Sequence, residues 1–156
     1  MILDKRTEFA DAVSVVGTAG TSINVGSQID SSVARDLGAG QPVYLVITVD
    51  TSIITAGVAG AISFSLVSDD SASIATNGAQ TVHYTSKAFV TDDAALNELD
   101  SGELAVAVAL PMEGVAYERY LGVQANIVTT DTTAGAISAF LTMDVAKWKA
   151  YADAVN

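Results

Sequence analysis

The stretch Ala116–Val145, AYERYLGVQANIVTTDTTAGAISAFLTMDV, decides the fold class. In its first half Leu121, Val123, Ala125 and Ile127 fall on one side of an extended chain, and Glu118, Tyr120, Gln124 and Asn126 on the other. In its second half Ile137, Ala139, Leu141 and Met143 share a side against Ser138, Thr142 and Asp144. Alternation with period two is the pattern of a strand with one buried and one wet face. Thr129–Gly135, rich in Thr, Asp and Gly, is too polar to continue either strand. The stretch therefore predicts a long antiparallel hairpin with Leu121, Val123, Leu141 and Met143 inside.

Working outward, Glu103–Leu110 repeats the pattern, with Leu104, Val106, Val108 and Leu110 on one face and Ala105, Ala107 and Ala109 on the other. Pro111 ends it, because proline cannot donate to a ladder. Ala61–Ser68 alternates with Ile62, Phe64 and Leu66 inward. Val43–Val49 (VYLVITV) is apolar on both faces, which predicts a central strand covered on both sides. Asp50–Gly60 reads as a connection. Ile23–Val25, Gln28–Asp30, Thr81–Tyr84 and Lys87–Val90 are shorter strand candidates. One short helix is expected around 92–99 (DDAALNEL), with acids in its first turn and Gly102 beyond it. Seven or eight strands with turn signals every 8–12 residues describe an all-β, antiparallel sandwich or barrel. With no repeat and no linker, residues 1–156 read as one domain, with 1–12 as an N-terminal arm and 146–156 as a C-terminal tail, either of which could be extended.

Composition narrows the function. A chain of 156 residues is long enough for a self-sufficient core, and with only 6% aromatics that core must be aliphatic. The net charge of −11, from 18 acids and 7 bases, opposes binding to nucleic acid or an anionic membrane surface. No apolar run reaches the roughly 18 residues of a membrane span, and the N-terminus lacks the apolar core of a secretory signal. Cysteine is absent, so disulfides and thiolate metal sites are excluded.

Each candidate for catalysis or metal binding has a plainer reading. Leu37–Gln41 (LGAGQ) precedes a strand instead of following one and lacks a third glycine, so it reads as a turn rather than a dinucleotide loop. His83 has neither a cysteine nor a second histidine to share a metal with, and reads as a strand-face residue. Asp69–Asp70 reads as turn chemistry and Asp92–Asp93 as helix capping; neither has calcium-loop spacing. No serine sits in a nucleophile elbow. The expectation is a non-enzyme with no catalytic, metal or cofactor-binding residues. Arg119, on the apolar side of its strand, must either snorkel to water or form an ion pair.

The opening MILDKRTEFADA, the block INVGSQIDSSVARDLGAGQPVYLVITVD, and LPMEGVAYERYLGVQ followed by TAGAISAFLTMD resemble, in the same order, the capsid cement (decoration) proteins of short-tailed bacteriophages. The resemblance implies a β-jelly-roll on the outer surface of a phage head, made in the bacterial cytoplasm. Its partners would be the major capsid protein and itself, a dimer being favoured, and no catalytic residues are implied. The competing reading is a jelly-roll carbohydrate- or receptor-binding module, although aromatic platforms are nearly missing from the loops. Candidate contacts with the capsid or with a second copy are Lys5, Arg6, Phe9, Tyr120, Gln124, Lys147, Trp148 and Tyr151. Four of the 7 bases lie in the two ends of the chain. Those ends either pack on their own domain or become ordered on binding a partner.

Overall fold

The structure is a computed structural model, and it describes residues 5–32, 41–57, 59–91, 97–112 and 114–145. Among the described residues, nine strands form two antiparallel sheets. They are β1 (Glu8–Ser14), β2 (Ser22–Asp30), β3 (Tyr44–Thr55), β4 (Ala61–Asp69), β5 (Thr81–Thr85), β6 (Phe89–Val90), β7 (Leu104–Ala109), β8 (Tyr120–Ile127) and β9 (Thr132–Thr142). One sheet runs β1-β9-β3-β7 and the other β2-β8-β4-β5, with β6 pairing β4 beside β5. Up to β4 the chain changes sheet with each strand, and it does so again from β7 to β9. Nested in this way, the strands make the two interlocked Greek keys of a jelly roll. Among the described residues there is no α-helix, only a 3-10 turn at Lys5–Thr7. Of the expected 92–99 helix, residues 92–96 lie outside the described residues, and 97–99 are not helical.

The core lies between the sheets. Leu45, Ile47, Val49 and Ile53 of β3 and Ile137 and Ala139 of β9 face Ile62, Phe64 and Leu66 of β4 and Leu121, Val123, Ala125 and Ile127 of β8. The alternation read from the sequence thus identifies the inner faces of β4 and β8. Val46 is also fully buried although it points to the outer side, as expected of a central strand covered twice.

Three expectations are corrected. The segments of Ala116–Val145 are both strands, but they are not a hairpin pair: β8 lies between β2 and β4, and β9 between β1 and β3, in the opposite sheet. Residues 128–131 cross the end of the sandwich, tied down where the Val128 amide donates to Ala61 O and the Ala56 amide to Asp131 O. Period two reports one buried face per strand, and two such faces can meet across a core about 10 Å thick as well as side by side. Met143 is not inside; it follows the last residue of β9 and is 63% exposed, while Leu141 is half-buried. Asp50–Thr55 is strand, not connection: β3 carries on through irregular register with β9, which lets exposed Asp50 and Thr51 sit in the same strand as buried Ile53.

Candidate functional site

The most chemistry-like cluster joins β4, β5 and the approach to β8. Ser68 Oγ lies 2.7 Å from His83 Nε2, and it donates to Glu118 Oε2 at 3.1 Å while accepting from the Glu118 amide at 3.2 Å. The His83 ring stacks on Tyr117 at 4.0 Å between centroids, and the Tyr117 hydroxyl donates to Pro111 O. A serine, a histidine and a glutamate are therefore in contact, 15 and 50 positions apart in sequence, which no local motif could reveal.

The hydrogen-bond directions oppose hydrolysis. A nucleophilic serine gives its proton to histidine, and the acid orients the far ring nitrogen. Here the single hydroxyl proton goes to Glu118, so Nε2 is the donor to Ser68, and Ser68 is fully buried. The cluster is a clasp between strands. Burial pushes the His83 imidazole below its ordinary value of 6.5, against an upward pull from the Glu118 carboxylate. The unfolded chain then takes up a proton below that value while the folded chain does not, so stability falls as pH drops through 6.5. Asp69, held low by accepting the Ala75 and Ser71 amides, together with Asp30 and Glu98, adds further loss only below the ordinary carboxylate range. Thermal melts of His83→Gln should therefore be flatter than wild type between about pH 7 and pH 5, with the steeper acid limb kept. Equal losses in the two proteins over that interval would mean that another group drives the change.

The outer face of β8 was expected to be wet, but it is covered by the chain between β4 and β5. Gln124 is 1% exposed; its Nε2 donates to Ala75 O at 2.7 Å and to Asn24 Oδ1 at 2.9 Å, and its Oε1 accepts from Gln80. Asn24 Nδ2 donates to Ile74 O, and Ile74 packs in the space left by the missing side chain of Gly122. Every polar atom of this buried amide is satisfied, as low-dielectric surroundings require. The apolar Ile74 in a polar loop and the glycine within β8 were the available signals. The Asp69–Asp70 turn behaves as read, since Asp69 accepts amides from its own loop.

The other sequence-predicted contacts are scattered. Phe9 belongs to β1 and is 2% exposed in the core, so neither it nor Gln124 presents a side chain to a partner. Lys5 and Arg6 are exposed on the 3-10 turn, with Lys5 paired to Glu8 at 2.9 Å. Tyr120 is half-buried under the Arg119 guanidinium, 4.9 Å from its ring centroid. Arg119 is both exposed and paired: its Nε and Nη2 donate to the two carboxylate oxygens of Asp30 at 2.9 and 3.0 Å. Lys147, Trp148, Tyr151, the Asp92–Asp93 pair and most of Leu37–Gln41 lie outside the described residues. Lys5, Arg6 and Phe9 do border one groove of about 720 Å³, which is lined by residues of edge strands β1 and β2.

Among the described residues no group of three His, Asp or Glu is placed to hold a metal ion, and no helix is long and apolar enough to cross a membrane. No curated protein matches the chain. A family model, Bbp16, matches residues 9–141, most of the chain, from the second residue of β1 to the penultimate residue of β9. The sandwich as a whole is what is shared, and the chain belongs to the Bbp16 family, a family of phage structural proteins.

Proposed function

We propose that the protein is a capsid cement protein, which binds the outer surface of a phage head, holds neighbouring major capsid subunits together and associates with a second copy of itself. The observation that carries this reading is the family match over residues 9–141. The composition agrees with it: a chain of net charge −11 without cysteine suits a role that consists of burying surface rather than turning over a substrate.

The strand edges support self-association through β7. An edge strand offers unpaired amides and carbonyls to another chain unless charges or bulges blunt it. β1 is irregular at two points and carries Glu8 and Asp11, and β2 is irregular and ends at Asp30. β7 is LAVAVA, uncharged, with Ala107 and Ala109 exposed and small enough for close approach. Paired antiparallel with its own copy about a twofold at Val106, it sets Ala107 opposite Ala105 and Glu103 opposite Ala109, not opposite the other Glu103.

Co-sedimentation with phage heads lacking their decoration tests the reading: the purified protein should pellet with the shells and saturate. Failure to pellet at tens of micromolar would overturn it. Light scattering on Ala107→Lys tests the edge separately. The substitution puts a charge in the middle of the pairing and should convert a dimer to a 16.0 kDa monomer with an unchanged melting curve.

A further inference from the structure

Asn77 and Gly78 lie in the exposed part of the chain from Asp69 to Gln80, which covers the outer face of β8. Of the chain's asparagines only Asn77 precedes a glycine. That pairing has a chemistry of its own. The amide nitrogen of the following residue can attack the asparagine side-chain carbonyl and close a five-membered ring, and a glycine puts no side chain in the way. Gly78 has φ of 92°, and an added Cβ would meet nothing within 4 Å. The other internal asparagines are followed by Val25, Glu98 and Ile127. Both ends of their side-chain amides are also held. Asn24 donates to Ile74 O and accepts from Gln124, Asn97 donates to Ile53 O and accepts from the Leu99 amide, and Asn126 donates to Ser65 and accepts from Ser22.

Two hydrogen bonds around Asn77 act in opposite directions. The Ala79 amide donates to Asn77 Oδ1 at 3.2 Å. That oxygen takes up negative charge when its carbon is attacked, and an N–H aimed at it stabilises the charge. The Gly78 amide donates to Gln80 Oε1 at 3.0 Å. An amide nitrogen attacks only after losing its proton, and a neutral amide oxygen holds that proton without removing it. Gln80 is in turn fixed to the sheet: its Nε2 donates at 3.1 Å to Gln124 Oε1, and Gln124 is 1% exposed.

We propose that Asn77 is the site at which this protein deamidates spontaneously, and that Gln80 is the positioning residue that restrains it. Hydroxide removes the Gly78 amide proton, the nitrogen bonds to the Asn77 side-chain carbonyl carbon, and the bond from that carbon to the side-chain nitrogen breaks. The departing nitrogen takes a proton from water, which restores the hydroxide, and leaves as ammonia. Water then opens the succinimide at either carbonyl, giving aspartate or isoaspartate with no change of oxidation state. Either product adds one negative charge to a chain already at −11. Isoaspartate also lengthens the main chain by one carbon between the two points at which the loop is tied to Gln124, the Ala75 carbonyl and the Gln80 side chain. The cover over β8 therefore loosens as the protein ages. The proposal stands apart from the capsid reading, since it concerns the isolated chain.

Cleavage after Arg35 and Lys87 releases residues 36–87, in which Asn77 is the only asparagine. Full-length protein is held in warm, mildly alkaline buffer, digested at intervals and mapped by mass. The 36–87 peptide should pass from amide to acid before any other asparagine does, and an isoaspartyl methyltransferase should label part of the product. Folded Gln80→Ala should convert severalfold faster than folded wild type, and at the same rate as wild type in denaturant, where Gln80 holds nothing. If Gln80→Ala does not fold, the wild type supplies the second reading, and it should convert more slowly folded than denatured. Earlier conversion at another asparagine would overturn the site. An unchanged rate in folded Gln80→Ala, or equal rates in folded and denatured wild type, would overturn the restraint. A difference between the two proteins that persists in denaturant would overturn it too, by assigning the effect to local sequence.

Discussion

Replacing Phe64 with alanine is expected to cost about 3–5 kcal/mol of folding stability, the range for emptying an aromatic from a packed interior. Phe64 is fully buried at the middle of β4, and its ring meets that of Phe89 at 6.2 Å between centroids. With only 6% aromatics in the chain, few neighbours are large enough to relax into the space. The strand itself is pinned on both sides, by β8 along its length and by β5 and β6 on the other edge, so the cavity cannot be closed by moving the backbone. Chemical denaturation should show the midpoint falling with little change in slope. In a chain of this size the melting temperature should drop on the order of 10 °C. Phe64→Leu, which keeps most of the volume, should lose less than half as much. A cost below about 1 kcal/mol for the alanine variant would place Phe64 outside the packed centre.

Gly26→Val is expected to be nearly as damaging, for a different reason. Gly26 has φ of 69°, where a β-branched side chain is strained, and an added Cβ would press into the Phe9 carbonyl oxygen of the neighbouring edge strand. This is the point at which β1 and β2 close one side of the sandwich. The backbone strain of about 1–2 kcal/mol adds to an overpacking cost of about 1–3 kcal/mol. Gly20→Val separates the two contributions: its φ is 74°, but nothing lies within 4 Å of an added Cβ, so only the backbone strain should remain. Equal losses at the two positions would show that the close approach of β1 to β2 contributes nothing.

The Gly26 contact illustrates where reading the chain stops. Period-two patterning in Ala61–Ser68 and Leu121–Ile127 is a local property, because successive side chains of a strand point to opposite faces whatever the strand pairs with. For that reason the all-β class, the inward residues of β4 and β8 and the central position of Val43–Val49 were legible from residue types alone. So was the lack of a nucleophile motif, since such motifs are also local in sequence.

Pairing is not local. Whether β8 joins β9 or faces it from the other sheet depends on where β2, β3 and β4 lie, and those strands are tens of residues away. The clasp of Ser68, His83 and Glu118 and the amide network around Gln124 were invisible for the same reason. Each unites polar residues that look solvent-facing in their own segments and lose exposure only when distant segments pack against them. The wet face expected for Tyr120 and Gln124 failed on this point: alternation marks the side away from the core, and only the tertiary structure decides whether something else packs there.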